Sequence, residues 1–201
     1  MGYLLEFHAL DWARLAAVIG SGDEAACAAI LAAEPRVFVG SPGVNWKGAL
    51  RDLVLGMRGE EIAGRGLDMA GLPGEEASPE EAMAMVAMVR ALGEPVGEVI
   101  RTTRGGAKFR MMFEQDFQPA VFPRMDLLRP LLGRPFFGLS QRDFPFWGGL
   151  RKADVAALLG GRSPENLPPI GDPDYQAWLF RLCEVLSDAK DFGKDLVTLY
   201  L

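Results

Sequence analysis

The chain has one histidine, His8, and two cysteines, Cys27 and Cys183. This scarcity removes whole classes of chemistry. A zinc site of several histidines or clustered cysteines has too few ligands to form. A Ser-His-Asp triad would have to use His8, and no G-x-S-x-G turn exists to present its serine. There is no P-loop, and no G-x-G-x-x-G follows a strand-like run. No metal and no cofactor is expected. No apolar run approaches the length of a membrane span. The opening MGYLLEFHAL lacks the basic n-region and cleavage site of a signal peptide. Both cysteines lie far apart in helical, apolar contexts, so buried free thiols in a cytoplasmic protein are expected.

What is present is ordinary folding material with an uneven charge. Of 201 residues, 49% are hydrophobic and 24% charged, which fits a folded chain and not a disordered one. The length suits a single domain over residues 1–201. The formal net charge is −6. Residues 59–81 alone hold seven acids (Glu60, Glu61, Asp68, Glu75, Glu76, Glu80, Glu81) against one base, Arg65, and the rest of the chain is balanced. Residues 99–162 are the counterpart, with eleven bases against five acids. An acidic chain argues against general nucleic-acid binding, which depends on neutralising phosphates.

Periodicity predicts an α+β fold. Tyr3–Leu10 alternates as a strand, with Glu6 and His8 on one face, and Asp195–Leu201 reads as a second strand. Both are expected in one small mixed sheet packed against several helices. Asp11 caps a helix that begins at Trp12, and Ser21 with Glu24 has the capping-box spacing for the next. Trp46, Leu50, Leu53, Val54 and Met57 share a helical face. The five glycines and one proline of residues 59–74 predict a loop with at most a helical turn. Residues 59–78 are therefore read as a mobile acidic loop. Ser78-Pro79-Glu80-Glu81 opens a helix whose apolar residues run nearly all round. A short helix spans 150–159, and a long one opens at Asp172-Pro173.

Three groups of residues are candidates for function. A Glu6–His8 dyad is conceivable, although a half-exposed strand histidine is the plainer reading. Glu60, Glu61, Glu75 and Glu76 form an acidic surface. Phe136, Phe137, Phe144, Phe146 and Trp147 crowd around Arg142 and Asp143 in a stretch whose prolines and glycines predict irregular structure. That stretch reads either as a wall of the core or as an interface anchor. Arg104-Gly105-Gly106-Ala107-Lys108 is basic and glycine-rich, and reads as a hairpin turn before a phosphate loop.

The stretches IGSGDEAACAAI and FPFWGGLRKADVAAL, with the closing helix and LVTLYL strand, resemble a family of bacterial domain-of-unknown-function proteins, distantly YfbM-like. In that family a Phe-Pro pair and a glycine precede a Leu-led short helix, and a long helix and a strand end the chain. The resemblance covers roughly the first thirty residues and the last eighty. It implies a small cytoplasmic α+β fold and transfers no catalytic residue. Arg151 stands where the pattern has a serine or threonine cap.

Three functions compete. The first is a non-enzymatic binding protein, such as an immunity or accessory protein, meeting a basic protein partner through the acidic surface at Glu60, Glu61, Glu75 and Glu76. The second is a small-ligand site or enzyme pocket built from Arg134, Arg142, Asp143, Phe146 and Trp147. The third is a structural homo-oligomer in which acidic and basic regions of neighbouring copies meet. Neither nucleic acid nor a membrane is expected as a partner.

Overall fold

A computed structural model describes residues 2–33, 43–65, 75–103, 137–140, 145–160, 162–167, 169, 171 and 173–201. The elements in chain order are β1 (Gly2–Leu10), α1 (Trp12–Val18), α2 (Glu24–Ala33), α3 (Trp46–Leu55), α4 (Met57–Ala63), β2 (Glu75–Glu76), α5 (Pro79–Leu92), β3 (Glu94–Pro95), β4 (Ile100–Thr103), β5 (Leu139–Ser140), β6 (Phe146–Leu150), α6 (Lys152–Leu159), a 3-10 turn (Pro164–Asn166), α7 (Pro173–Phe192) and β7 (Asp195–Tyr200). The chain packs as two compact units. One comprises 1–9, 95–133 and 146–201, and the other 10–94 and 134–145.

The first unit is built on a sheet. Its strand order is β3-β1-β7-β6, with β4 also pairing β1. The terminal strands are neighbours, as their matched alternation predicts: Leu4 and Leu201 exchange both backbone hydrogen bonds at 2.8 Å. β6 runs antiparallel to β7, from Phe146 opposite Tyr200 to Leu150 opposite Leu196. β1 and β4 are likewise antiparallel, from Gly2 opposite Thr103 to Leu5 opposite Ile100. Because side chains alternate along a strand, Leu5, Phe7, Ala9, Leu150, Leu196 and Tyr200 share a face. They pack with Val155, Leu158 and Leu159 of α6 and Leu179, Leu182 and Leu186 of α7. Each such leucine taken fully out of water contributes about 2 kcal/mol before entropy is counted. The other face is buried too, at His8, Trp147, Val197 and Leu199.

Two expectations are corrected here. The segment around Gly148-Gly149 is a regular strand and not irregular. Glycine weakens a strand interior, but β7 offers a full ladder, with Thr198 opposite Gly148 and Val197 opposite Gly149. His8 is 6% exposed and not half-exposed. The missing Ser/Thr cap at Arg151 is supplied from another element: the Asp195 carboxylate accepts the Lys152 N–H at 2.8 Å.

The second unit is helical and centred on α5. Ala82, Ala84, Met85, Val86, Ala87, Met88 and Val89 are all buried there, as its all-round apolar pattern predicts. α1, α2 and α3 pack on it. Its start is the expected capping box: Ser78 Oγ accepts the Glu81 N–H at 3.1 Å, and the Glu81 carboxylate accepts the Ser78 N–H at 2.8 Å. The cap of α2 differs from expectation. Asp23 accepts the Ala25 and Ala26 N–H groups at 2.9 and 3.0 Å, and Ser21 Oγ accepts the Asp23 N–H instead. The loop expected from Gly59 is also corrected, because α4 covers Met57–Ala63 and β2 covers Glu75–Glu76. Residues 66–74 lie outside the described residues.

Candidate functional site

The acidic residues of the helical unit are organised around an arginine that lies one position outside the acidic stretch. Arg58 sits on α4 with its side chain 19% exposed. Its Nε donates to Glu81 Oε1 at 2.7 Å. Its two terminal nitrogens grip Glu75 in a bidentate fork at 3.0 and 3.2 Å, and Nη1 also reaches Glu61 at 3.2 Å. Arg65 follows α4, contacts Glu61, and bridges to Glu75 at 2.8 Å. Carboxylates from α4, β2 and α5 are thereby drawn together by two guanidinium groups. The planar guanidinium suits this role because its fixed fork of donors matches carboxylate geometry.

Local structure places each partner. Glu61 lies three residues after Arg58 on α4 and four before Arg65 in the turn that follows it, the i,i+3 and i,i+4 spacings that bring side chains together. Glu75 is set by β5: its N–H donates to the Gly138 carbonyl at 2.6 Å, and Ser140 Oγ donates to the Glu75 carbonyl at 3.2 Å. β5 is in turn anchored by Phe137, which is 1% exposed and held at φ +50°, a costly left-handed setting for a bulky residue. Glu81 divides its two oxygens between Arg58 and the helix cap.

The electrostatics follow from the geometry. Burial works against the Arg58 charge, but the hydrogen bonds it donates to Glu75 and Glu81 outweigh it and raise its pKa above the ordinary arginine value. Arg58, and then Arg65, hold the Glu75 carboxyl below the usual carboxylate range. Arg65, and then Arg58, do the same for Glu61. Glu60 and Glu76, on α4 and β2, are exposed. Glu60 and Glu80 make no side-chain ion pair or hydrogen bond among the described residues. Among the described residues, the network itself sets three carboxylates, Glu61, Glu75 and Glu81, against the two guanidinium groups of Arg58 and Arg65, and Glu60 and Glu80 add charge beside it.

The other candidates fare differently. Arg134, Arg142 and Asp143 lie outside the described residues, as does the Arg104–Lys108 stretch in which a turn is expected. Trp147 is fully buried in the sheet unit, so its indole packs and does not face solvent. Phe146 pairs with Tyr200 in the ladder. Glu6 and His8 do approach, with His8 Nε2 3.4 Å from a Glu6 oxygen, and His8 Nδ1 has no hydrogen-bond partner among the described residues. Both thiols are free and buried. Arg58 was the residue that the sequence reading missed. The i, i+3, i+7 spacing of Arg58, Glu61 and Arg65 was the signal that could have found it.

Compared with protein-family models, with curated proteins and with solved structures, the chain matches none of them.

Proposed function

We propose that this chain is a non-catalytic protein-binding module that receives a basic protein on the acidic surface of α4, β2 and the start of α5. One observation carries the reading: Arg58 gathers carboxylates from three elements into a single fixed array that remains negative. An array held in place before encounter loses little side-chain freedom on binding. Its field raises the association rate of a basic partner, which is the main benefit of charge complementarity. An immunity or accessory role toward a basic enzyme is the specific form this takes, because inhibition needs only a complementary surface.

The experiment uses E60Q/E80Q, which removes charge outside the Arg58 network and leaves the fold intact. A photo-crosslinker at position 76 captures the partner in cells of the native host, and the identified protein is then purified. The expected result is a basic partner whose association slows in E60Q/E80Q and in raised salt. A captured partner whose association is indifferent to both changes would overturn the reading.

A further inference from the structure

The sheet unit carries a second acidic feature that the sequence reading did not single out. A groove of about 500 Å³ runs between the turn after β3 and the end of α7. It is lined by Pro95, Val96, Gly97, Asp188, Asp191 and Phe192. We propose that it binds a lysine- or arginine-bearing peptide segment of a protein partner.

The groove is preformed. The Val96 N–H donates to the Phe7 carbonyl at 2.9 Å. Gly97 has φ +63° and lies so close to α7 that a Cβ there would sit 2.6 Å from Val185 Cγ2. Glu98 then pairs with Arg181 of α7 at 2.9 Å. Three successive residues thus fix the wall against β1 and α7.

The lining states the chemistry of the occupant. Pro95, Val96 and Phe192 supply apolar surface, and Phe192 is 49% exposed. Asp188 and Asp191 are exposed and make no ion pair or hydrogen bond among the described residues through their side chains. Exposed Glu184 continues their row one turn earlier, so the three carboxylates span about 10 Å along the helix. Among the described residues, those lining the groove include no base. The chain itself already sets a cation on this aromatic ring, with Lys194 Nζ 5.8 Å from the Phe192 centroid. An ammonium or guanidinium on an apolar stem fits such a lining, with stem on Pro95 and Phe192 and charge between the aspartates. The groove is open to solvent. That form suits a peptide lying across it better than a small molecule enclosed by it.

The test uses the full chain and a synthetic peptide alternating lysine and leucine, with a glutamate-leucine peptide and free butylamine as controls. Amide shifts are mapped by NMR and affinity is read by fluorescence anisotropy. The expected result is shifts at Val96, Gly97, Asp188, Asp191 and Phe192, and none from the acidic peptide. D188N/D191N should bind about tenfold more weakly, the loss of two partly exposed pairs, while E60Q/E80Q binds this peptide as wild type does. Because the two double variants lie in different units, this proposal and the one above fail separately. Shifts confined to α4 and β2, wild-type affinity in D188N/D191N, or butylamine binding as tightly as the peptide would each overturn it.

Discussion

Gly20 and Gly59 meet backbone to backbone: a Cβ on Gly20 would lie 2.7 Å from the Gly59 carbonyl carbon, and one on Gly59 would lie 2.8 Å from the Gly20 nitrogen. The Gly59 Cβ would also come within 2.0 Å of the Leu53 carbonyl oxygen. The Gly20 N–H donates to that same oxygen at 2.9 Å. Gly59 is therefore the point at which α4 is seated on the α1–α2 turn and the end of α3.

The first prediction follows from this contact. In an exposed helix, glycine to alanine stabilises by about 1 kcal/mol. At Gly59 the sign reverses, because the obstructing atoms are backbone and cannot rotate away. Gly59→Ala should cost about 3 kcal/mol or more, read from urea denaturation. A stabilised variant would mean that α4 is not packed there.

The same glycine explains part of what the sequence concealed. Glycines in residues 59–74 suggested a mobile loop, yet Gly59 is a helix residue chosen for close approach. Composition alone does not separate these two uses of glycine. The elements that were legible carry local signals: the Ser78–Glu81 capping box, the alternation of β1 and β7, and the apolar face of α3. β6 was misread because Gly148 and Gly149 weaken its own propensity, and its ladder comes from β7, about fifty residues later. The acidic residues of the site were visible as charge. Their organiser Arg58 was not, because its bonds to Glu75 and Glu81 join residues 17 and 23 positions apart. The groove at Asp188 and Asp191 was hidden for the same reason, since its other wall is at Pro95–Gly97.

The cap of α2 gives a second prediction. Asp23 accepts two N–H groups of the first helical turn, whereas Ser21 accepts only the Asp23 N–H. Asp23→Ala should cost about 1 kcal/mol, and Ser21→Ala a smaller amount. Equal losses in chemical denaturation would return the cap to Ser21.

Both thiols should be inert in the native protein. Burial pushes the Cys183 thiol up to about 11 against a weaker pull from Arg162, and burial also raises Cys27 against Arg51. The thiolate is the reacting form, so little is present at neutral pH. A disulfide-exchange reagent should label neither residue on mixing and both after denaturation. Rapid native labelling of Cys183 would show that α7 opens locally.

The Arg58 network makes stability depend on pH in a stated direction. An unperturbed glutamate titrates near pH ~4.3, and in the folded chain Glu75 and Glu61 titrate lower. A carboxyl with a depressed folded pKa binds protons more readily when unfolded. Its contribution is therefore complete above the unfolded value and is lost as pH falls through the folded one. Arg58→Met keeps an aliphatic stem on α4 and removes the charge, so Glu75 loses the larger of its two stabilising partners and titrates nearer the unfolded value. The variant should be less stable than wild type at pH ~7, with a gap that stays constant down to about pH 5 and narrows below about pH 4. Urea midpoints for both proteins across that range give the measurement. A gap that does not narrow in acid would mean that Arg58 acts through packing alone, and the acidic surface would lose the organiser that the proposed partner site depends on.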